Sequence, residues 1–111
     1  MLKGFHAHIY FDPDQLGSAK EFAAQAKARF KCAVGHFHQQ PVGPHPRGSC
    51  QLSLGVEEFG RFASWAAEER GDLTIFAHGL SGDDWADHTH HVVWFGPSEE
   101  LNLSIFEGPE S

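Results

Sequence analysis

The chain has 111 residues, of which 41% are hydrophobic and 21% are charged, and its formal net charge is −7. This length predicts one domain, residues 1–111, with a single small hydrophobic core. The negative charge and the lack of a Lys/Arg cluster argue against binding to nucleic acid or to an anionic membrane surface. No apolar run approaches a membrane span, and the N-terminus lacks a signal-peptide pattern, so we expect a cytoplasmic protein. Cys32 and Cys50 do not have the CxxC spacing of a metal site. We expect both to be buried free thiols, with Cys50 in the core.

The first predicted strand covers residues 5–11, "FHAHIYF", in which apolar residues alternate with His6, His8 and Tyr10. This period of two predicts a strand with one face on the core and one polar face. Alanine and phenylalanine at helical spacing then predict a helix over residues 13–29, with a capping box at Ser18 and Glu21.

The rest of the chain continues with strand, loop and helix patterns. "AVGHFHQ" predicts a second strand that carries His36 and His38, and "QPVGPHPRGS", with its three prolines, predicts a loop. "CQLSLGV" predicts a third strand, "VEEFGRFASWAAEERGD" a second helix ending at Gly71, and "LTIFAH" a fourth strand. "GLSGDDWADHTHH" predicts a polar loop with one helical turn. "VVWFG" and "LNLSIF" predict two further short strands, or one strand and a tail.

The order β-α-β-β-α-β predicts an α+β, ferredoxin-like sandwich, with an antiparallel sheet, two helices on one face and a short C-terminal strand extension. We expect the strand order 4-1-3-2, with strands 1 and 3 antiparallel to strands 2 and 4. On that expectation, seven histidines and three carboxylates converge on one edge of the open face: His6, His8, His36, His38, His45, His78 and His88, with Asp83, Asp84 and Asp87.

Convergent imidazoles favour a metal site, although a single histidine is more often a surface or structural residue. Imidazole suits Fe, Zn, Cu or Ni, and three histidines that leave positions open are typical of catalytic sites. The three aspartates fit a turn cap or partners of the ligand histidines. We expect His36 to line the cavity only and His90 and His91 to be solvated. A serine nucleophile elbow is absent.

Three blocks, "FHAHIYFD", "QPVGPHPRGSCQ" and "IFAHGLSGDDWADHTHHVVWFG", resemble the DOPA 4,5-dioxygenase family over nearly the whole chain. The resemblance implies a ferredoxin-like fold and extradiol cleavage of the catechol ring of L-DOPA or a related catechol. It also implies O2 as co-substrate and non-haem Fe(II) as cofactor, with Zn as a metal that a purified sample could hold. Gly79 stands where many relatives are expected to have proline.

The resemblance implies a role for each matching residue. The metal ligands would be His8, His45 and His78, with His38 in reserve, and His88 with Asp87 would be catalytic. Arg47, or less favourably Arg29, would pair with a substrate carboxylate. The other expected substrate contacts are His6, Tyr10, His38 and Trp94.

Two alternatives remain open from the residues alone. One is a metal- or small-ligand-binding protein without turnover. The other is a structural ferredoxin-like dimer whose open sheet face is the interface, and a homodimer is expected in either case because the domain is small.

Overall fold

A computed structural model of the protein describes residues 1–106, in which a five-stranded antiparallel sheet packs against two long helices. The strand order is β2-β3-β1-β4-β5, which confirms the ferredoxin-like α+β prediction and adds β5 beside β4 as the C-terminal extension. The strands are β1 (Phe5–Phe11), β2 (Cys32–Val34), β3 (Gly48–Leu54), β4 (Thr74–Gly79) and β5 (Val92–Phe95). The helices are α1 (Leu16–Arg29), α2 (Val56–Glu69) and the short α3 (Asp84–Thr89), with 3₁₀ turns at Pro13–Gln15 and Leu103–Phe106.

The core lies between the sheet and the two long helices. Alternation along β1 directs Ala7, Ile9 and Phe11 inward, where Phe22 of α1 and Phe62 of α2 also pack. Each of these large side chains contributes roughly 1.5–3 kcal/mol of favourable burial free energy. As predicted, Cys50 is a buried free thiol in this core; the second free thiol, Cys32, is only partly buried. The opposite face of the sheet is left open by the helices.

The predicted strand directions are wrong, and the error changes where the histidines meet. β1 pairs antiparallel with both β3 and β4, and β2 pairs antiparallel with β3. Two strands that flank the same antiparallel neighbour run parallel to each other, so β1 and β2 oppose β3 and β4. The start of β3 therefore lies near Phe11, whereas the end of β4 lies near Phe5. The histidines converge across the sheet face instead of at one edge.

Two local predictions also differ from the structure. β2 ends at Val34, and beyond it only His38 returns to the sheet, through an isolated bridge to Ser49. The chain leaves β3 after Gly35, whose N–H still donates to the Gln51 carbonyl oxygen at 2.8 Å.

The capping box does not involve Ser18, which lies inside α1. The backbone N–H of Asp12 instead donates to Gln15 Oε1 at 2.8 Å, because the chain first makes a 3₁₀ turn at Pro13. "LNLSIF" is a tail that contains a 3₁₀ turn, not a strand. Within residues 1–106, every helix is too short or too polar to cross a bilayer.

Candidate metal centre

The centre of the open face is a group of three histidines on the central strand β1 and its neighbour β4. His6 and His8 point to this face from β1, and His78 lies directly opposite His6 on β4. The Nε2 atoms of His8 and His78 are 3.1 Å apart. One nitrogen from each of His6, His8 and His78 lies within 4.8 Å of the other two. Because a metal–imidazole bond is about 2.0–2.1 Å long, this spacing suits three ligands of one ion.

Burial keeps these imidazoles in the neutral form that binds a metal. The pKa of His8 is well below its ordinary value because the ring is buried and because four other histidines surround it. Burial lowers the pKa of His78 to about 4, although a hydrogen bond to the Gly79 carbonyl opposes that effect. Burial also lowers the pKa of the more exposed His6. All three rings therefore present lone pairs at neutral pH.

Backbone carbonyls fix the tautomers of two of the clustered rings. Nδ1 of His78 lies 3.1 Å from the Gly79 carbonyl oxygen, and Nδ1 of His88 lies 2.8 Å from that of Asp84. A carbonyl only accepts, so in the neutral rings Nδ1 carries the proton and Nε2 has the free lone pair. The His88 ring is 4.1 Å from the His78 ring. α3 thus holds a basic nitrogen beside the three-histidine group.

His45 reaches the same face from the proline-rich loop. Its ring lies 4.1 Å from that of His8, and its Nδ1 is 2.7 Å from the hydroxyl of Tyr10. Burial and the neighbouring histidines lower its pKa to about 4. Burial and the negative charge of Glu99 raise the pKa of Tyr10, so the phenol stays protonated. His45 therefore lies beside the three-histidine group, and His6 completes that group instead; His45 as a ligand stays a prediction.

Asp87 is buried and hydrogen-bonded within the protein, and its catalytic role stays a prediction. Its carboxylate accepts hydrogen bonds from Ser81 N and Oγ at 2.8 and 2.6 Å, and it lies 2.8 Å from Nδ1 of His91. Burial alone would raise the pKa of Asp87, but these hydrogen bonds outweigh it and lower the pKa to about 2. Through its hydrogen bonds with Ser81, Asp87 thus holds the loop after β4 against α3. Asp83 caps α3 by accepting from the Ala86 N–H, as one reading of the sequence expected.

Arg47, the predicted partner of a substrate carboxylate, is already paired within the protein. Its guanidinium donates to both carboxylate oxygens of Glu99, at 3.1 and 2.7 Å, and to Asp12 at 3.1 Å. It also lies over the Tyr10 ring, 5.8 Å from the centroid. Arg29 lies over Trp65, in the helical layer. Neither arginine presents a free guanidinium to the three-histidine group.

The remaining predicted contacts lie on two sides of the cluster. On the β5 side, Trp94 packs against Phe76, with ring centroids 4.7 Å apart. On the β3 side, His36 and His38 have ring centroids 4.8 Å apart and line a cavity that His8 and His45 also border. His90 is exposed.

Sequence reasoning missed three residues near the site. Phe106 stacks on His88 with centroids 4.3 Å apart, Glu99 binds Arg47, and His91 contacts Asp87. The first two belong to the C-terminal tail, which has no periodic pattern that would place it over the sheet. The four-residue spacing from Asp87 to His91 is the only available signal, since such residues are neighbours on a helical turn.

Comparison with known proteins identifies the family of the chain. The family model of the Dopa 4,5-dioxygenase family matches residues 5–105. A DOPA 4,5-dioxygenase of Amanita muscaria is 32% identical over 93% of this chain, and an uncharacterized 21.2 kDa protein of Botryotinia fuckeliana is 30% identical over 91%. The chain spans 49% and 62% of these two relatives, respectively.

A solved structure has the same fold. It is a crystal structure, described as that of a "putative dioxygenase", from Nostoc punctiforme; it matches with a TM-score of 0.89 and 33% identity over 92% of this chain and 89% of that one. The match of the family model to almost the whole chain shows that this protein belongs to the Dopa 4,5-dioxygenase family.

Proposed function

We propose that the protein is a metal-dependent dioxygenase that opens the ring of L-DOPA or a related catechol in the extradiol manner, with O2 as co-substrate. The observation that carries this proposal is the group of three neutral imidazoles, His6, His8 and His78, on the open face of the sheet. We further propose that it works in the cytoplasm as a homodimer.

The donor set fits Fe(II). Imidazole nitrogens bind ferrous iron well, and three protein ligands leave positions open, as a catalytic metal requires. Many iron oxygenases use two histidines and a carboxylate, whereas the described group contains histidine only. When bound, the ferrous ion supplies the redox chemistry that activates O2. The same nitrogens would also accept Zn²⁺ in a purified sample.

The other residues of the site prepare the substrate. Nε2 of His88, with its Nδ1 held by the Asp84 carbonyl, can accept the proton of a catechol hydroxyl. The hydrogen bond between Tyr10 and His45 fixes a polar pair on the opposite side of His8, where it can orient the ring. Phe106 stacks on the His88 ring and so helps to hold it in place.

The relatives support the proposal of a dioxygenase reaction more strongly than the proposal of L-DOPA as the substrate. The Amanita protein is named for cleavage of DOPA, but it is about twice as long as this chain, which spans 49% of it. L-DOPA is therefore proposed as one member of a catechol series, and the series should be assayed as a whole.

The test is anaerobic reconstitution with Fe(II) followed by addition of L-DOPA and air. We expect uptake of O2 and a yellow ring-opened product, and we expect both to be lost in His8→Ala but kept in His90→Ala. If the protein binds iron stoichiometrically and converts no catechol, the dioxygenase proposal is wrong and a metal-binding protein without turnover replaces it.

A further inference from the structure

A cavity of about 230 Å³ opens beside the three-histidine group, over β3. His8 and His45 form its inner wall, so it adjoins the proposed metal centre directly. The other polar side chains come from β3 and from the segment between β2 and β3: Ser49, Gln51, His36 and His38.

The lining of this cavity suits an anion. Imidazole, amide and hydroxyl groups all offer N–H or O–H donors, and none of the described residues that line the cavity is acidic. The chain as a whole carries a net charge of −7, so this acid-free lining contrasts with the rest of the molecule. His36 and His38 are exposed at the mouth, where their rings can turn toward a ligand.

Arg47, the other candidate for an anion partner, already has two carboxylate partners within the protein. The guanidinium of Arg47 is bound at both edges by Glu99 and Asp12, so a carboxylate that approached it would have to displace one of them. His36 and His38 make no side-chain hydrogen bond within residues 1–106 and need no such displacement.

We propose that this cavity binds the carboxylate-bearing substituent of the catechol, and that His36 and His38 determine the preference for such substrates. The inference rests on the proposed function, because it places the catechol oxygens at the metal centre. A ring whose oxygens lie at His6, His8 and His78 can extend its substituent past His8 into the cavity. Charge-assisted hydrogen bonds from the two imidazoles would then bind the carboxylate.

The test compares two catechols that differ in one charge. The full chain, loaded with Zn²⁺ so that the ligand is not turned over, is titrated calorimetrically with 3-(3,4-dihydroxyphenyl)propionate and with 4-ethylcatechol. We expect the propionate to bind roughly tenfold more tightly. In the double variant H36A/H38A the ratio should fall to about one while the affinity for 4-ethylcatechol stays unchanged. His90→Ala, a matched loss of an exposed histidine, should keep the wild-type ratio.

Two results would overturn the proposal: a preference that survives in H36A/H38A, or an equal loss of affinity for both catechols. A second measurement uses the metal-free wild type and 3-phenylpropionate, which has the carboxylate but no catechol oxygens. Its binding should shift the ring NMR signals of His36 and His38, and saturation without such shifts would also reject the cavity.

Failure of the proposed function looks different. If the iron-loaded chain cleaves no catechol but shows the carboxylate preference and its loss in H36A/H38A, the cavity assignment stands and the dioxygenase proposal falls. If it cleaves both catechols with the same apparent affinity, the dioxygenase proposal stands and the cavity assignment falls.

Discussion

His8 on β1 and His78 on β4 are diagonal neighbours on the open face of the sheet, with their Nε2 atoms 3.1 Å apart. Both are buried and both have lowered pKa values, so at neutral pH two uncharged imidazoles share one small space. A metal ion between them would replace a contact that otherwise needs one ring to donate to the other.

Removing either of these two rings should abolish stoichiometric metal binding. We expect His8→Ala and His78→Ala to lose more than about 10–100-fold in affinity for Fe(II) or Zn²⁺, because each deletes a ligand and the loss of a residue that only orients a ligand already costs that much. We propose His6 as the third ligand in place of the sequence-predicted His45, so His6→Ala should behave likewise, whereas His45→Ala should keep the metal and lose catechol affinity. Metal analysis after dialysis measures this, with His90→Ala as control. A full metal complement in His6→Ala and none in His45→Ala would exchange their assignments.

The metal-free protein should lose stability as the pH falls from 6.5 to 4. The folded-state pKa values of His45 and His78 are about 4, below the ordinary value of 6.5, so between these pH values the unfolded chain binds more protons. Protonation therefore favours unfolding, and the free energy of unfolding rises with pH over that window. Urea titrations at several pH values measure it. His45→Gln should flatten the slope and His90→Gln should not; equal slopes in all three proteins would contradict the prediction.

Asp87→Asn should destabilise the fold by about 1–3 kcal/mol, because a neutral amide cannot accept all the hydrogen bonds from Ser81 and His91. Asp84→Asn, at an exposed position three residues earlier, should change stability by less than about 0.5 kcal/mol. Urea denaturation at pH 7 compares them.

The Asp87 carboxylate should contribute to the free energy of unfolding of the wild type, and acid should remove that contribution. Its pKa of about 2 lies below the ordinary 3.8, so this contribution is present above pH 3.8 and is lost as the pH falls toward 2. Asp87→Asn should lack this loss, and a variant with the same acid profile as the wild type would argue against the hydrogen-bonded network.

The ion pair between Arg47 and Glu99 should hold the C-terminal tail on the open face. The tail also joins the proline-rich loop, where Asn102 N donates to the Pro44 carbonyl at 2.9 Å. Arg47→Ala should cost no more than about 1 kcal/mol, since the pair is partly exposed, but should speed amide exchange in residues 97–106. Hydrogen-exchange mass spectrometry measures this, with Arg61→Ala as the control for a pair on α2. Unchanged exchange would show that the tail is held by other contacts.

The fold could be predicted from the sequence because strand and helix periodicity are local signals. The alternation of His6, His8 and Tyr10 with apolar residues correctly assigned the face of β1, and the order of elements gave the neighbours of each strand. Strand direction was mistaken, although it follows from antiparallel pairing of β1 with both neighbours.

The site was less predictable because several of its contacts join segments that are distant in sequence. No local pattern shows that His45 folds over His8, or that Glu99 takes up the guanidinium of Arg47. The hydrogen bonds of Asp87 with Ser81 and His91 give it a structural role that the sequence did not predict, and its catalytic role stays a prediction.

The site has two parts that should differ in local stability. His6, His8 and His78 lie on β1 and β4, two interior strands whose backbone hydrogen bonds should be among the last to open. Part of the cavity wall comes instead from the irregular segment between β2 and β3. Sequence changes in residues 35–47 can therefore retune which ring substituents are accepted while the metal ligands stay in register. A library of variants confined to that segment should therefore change which catechol is preferred without changing the sheet.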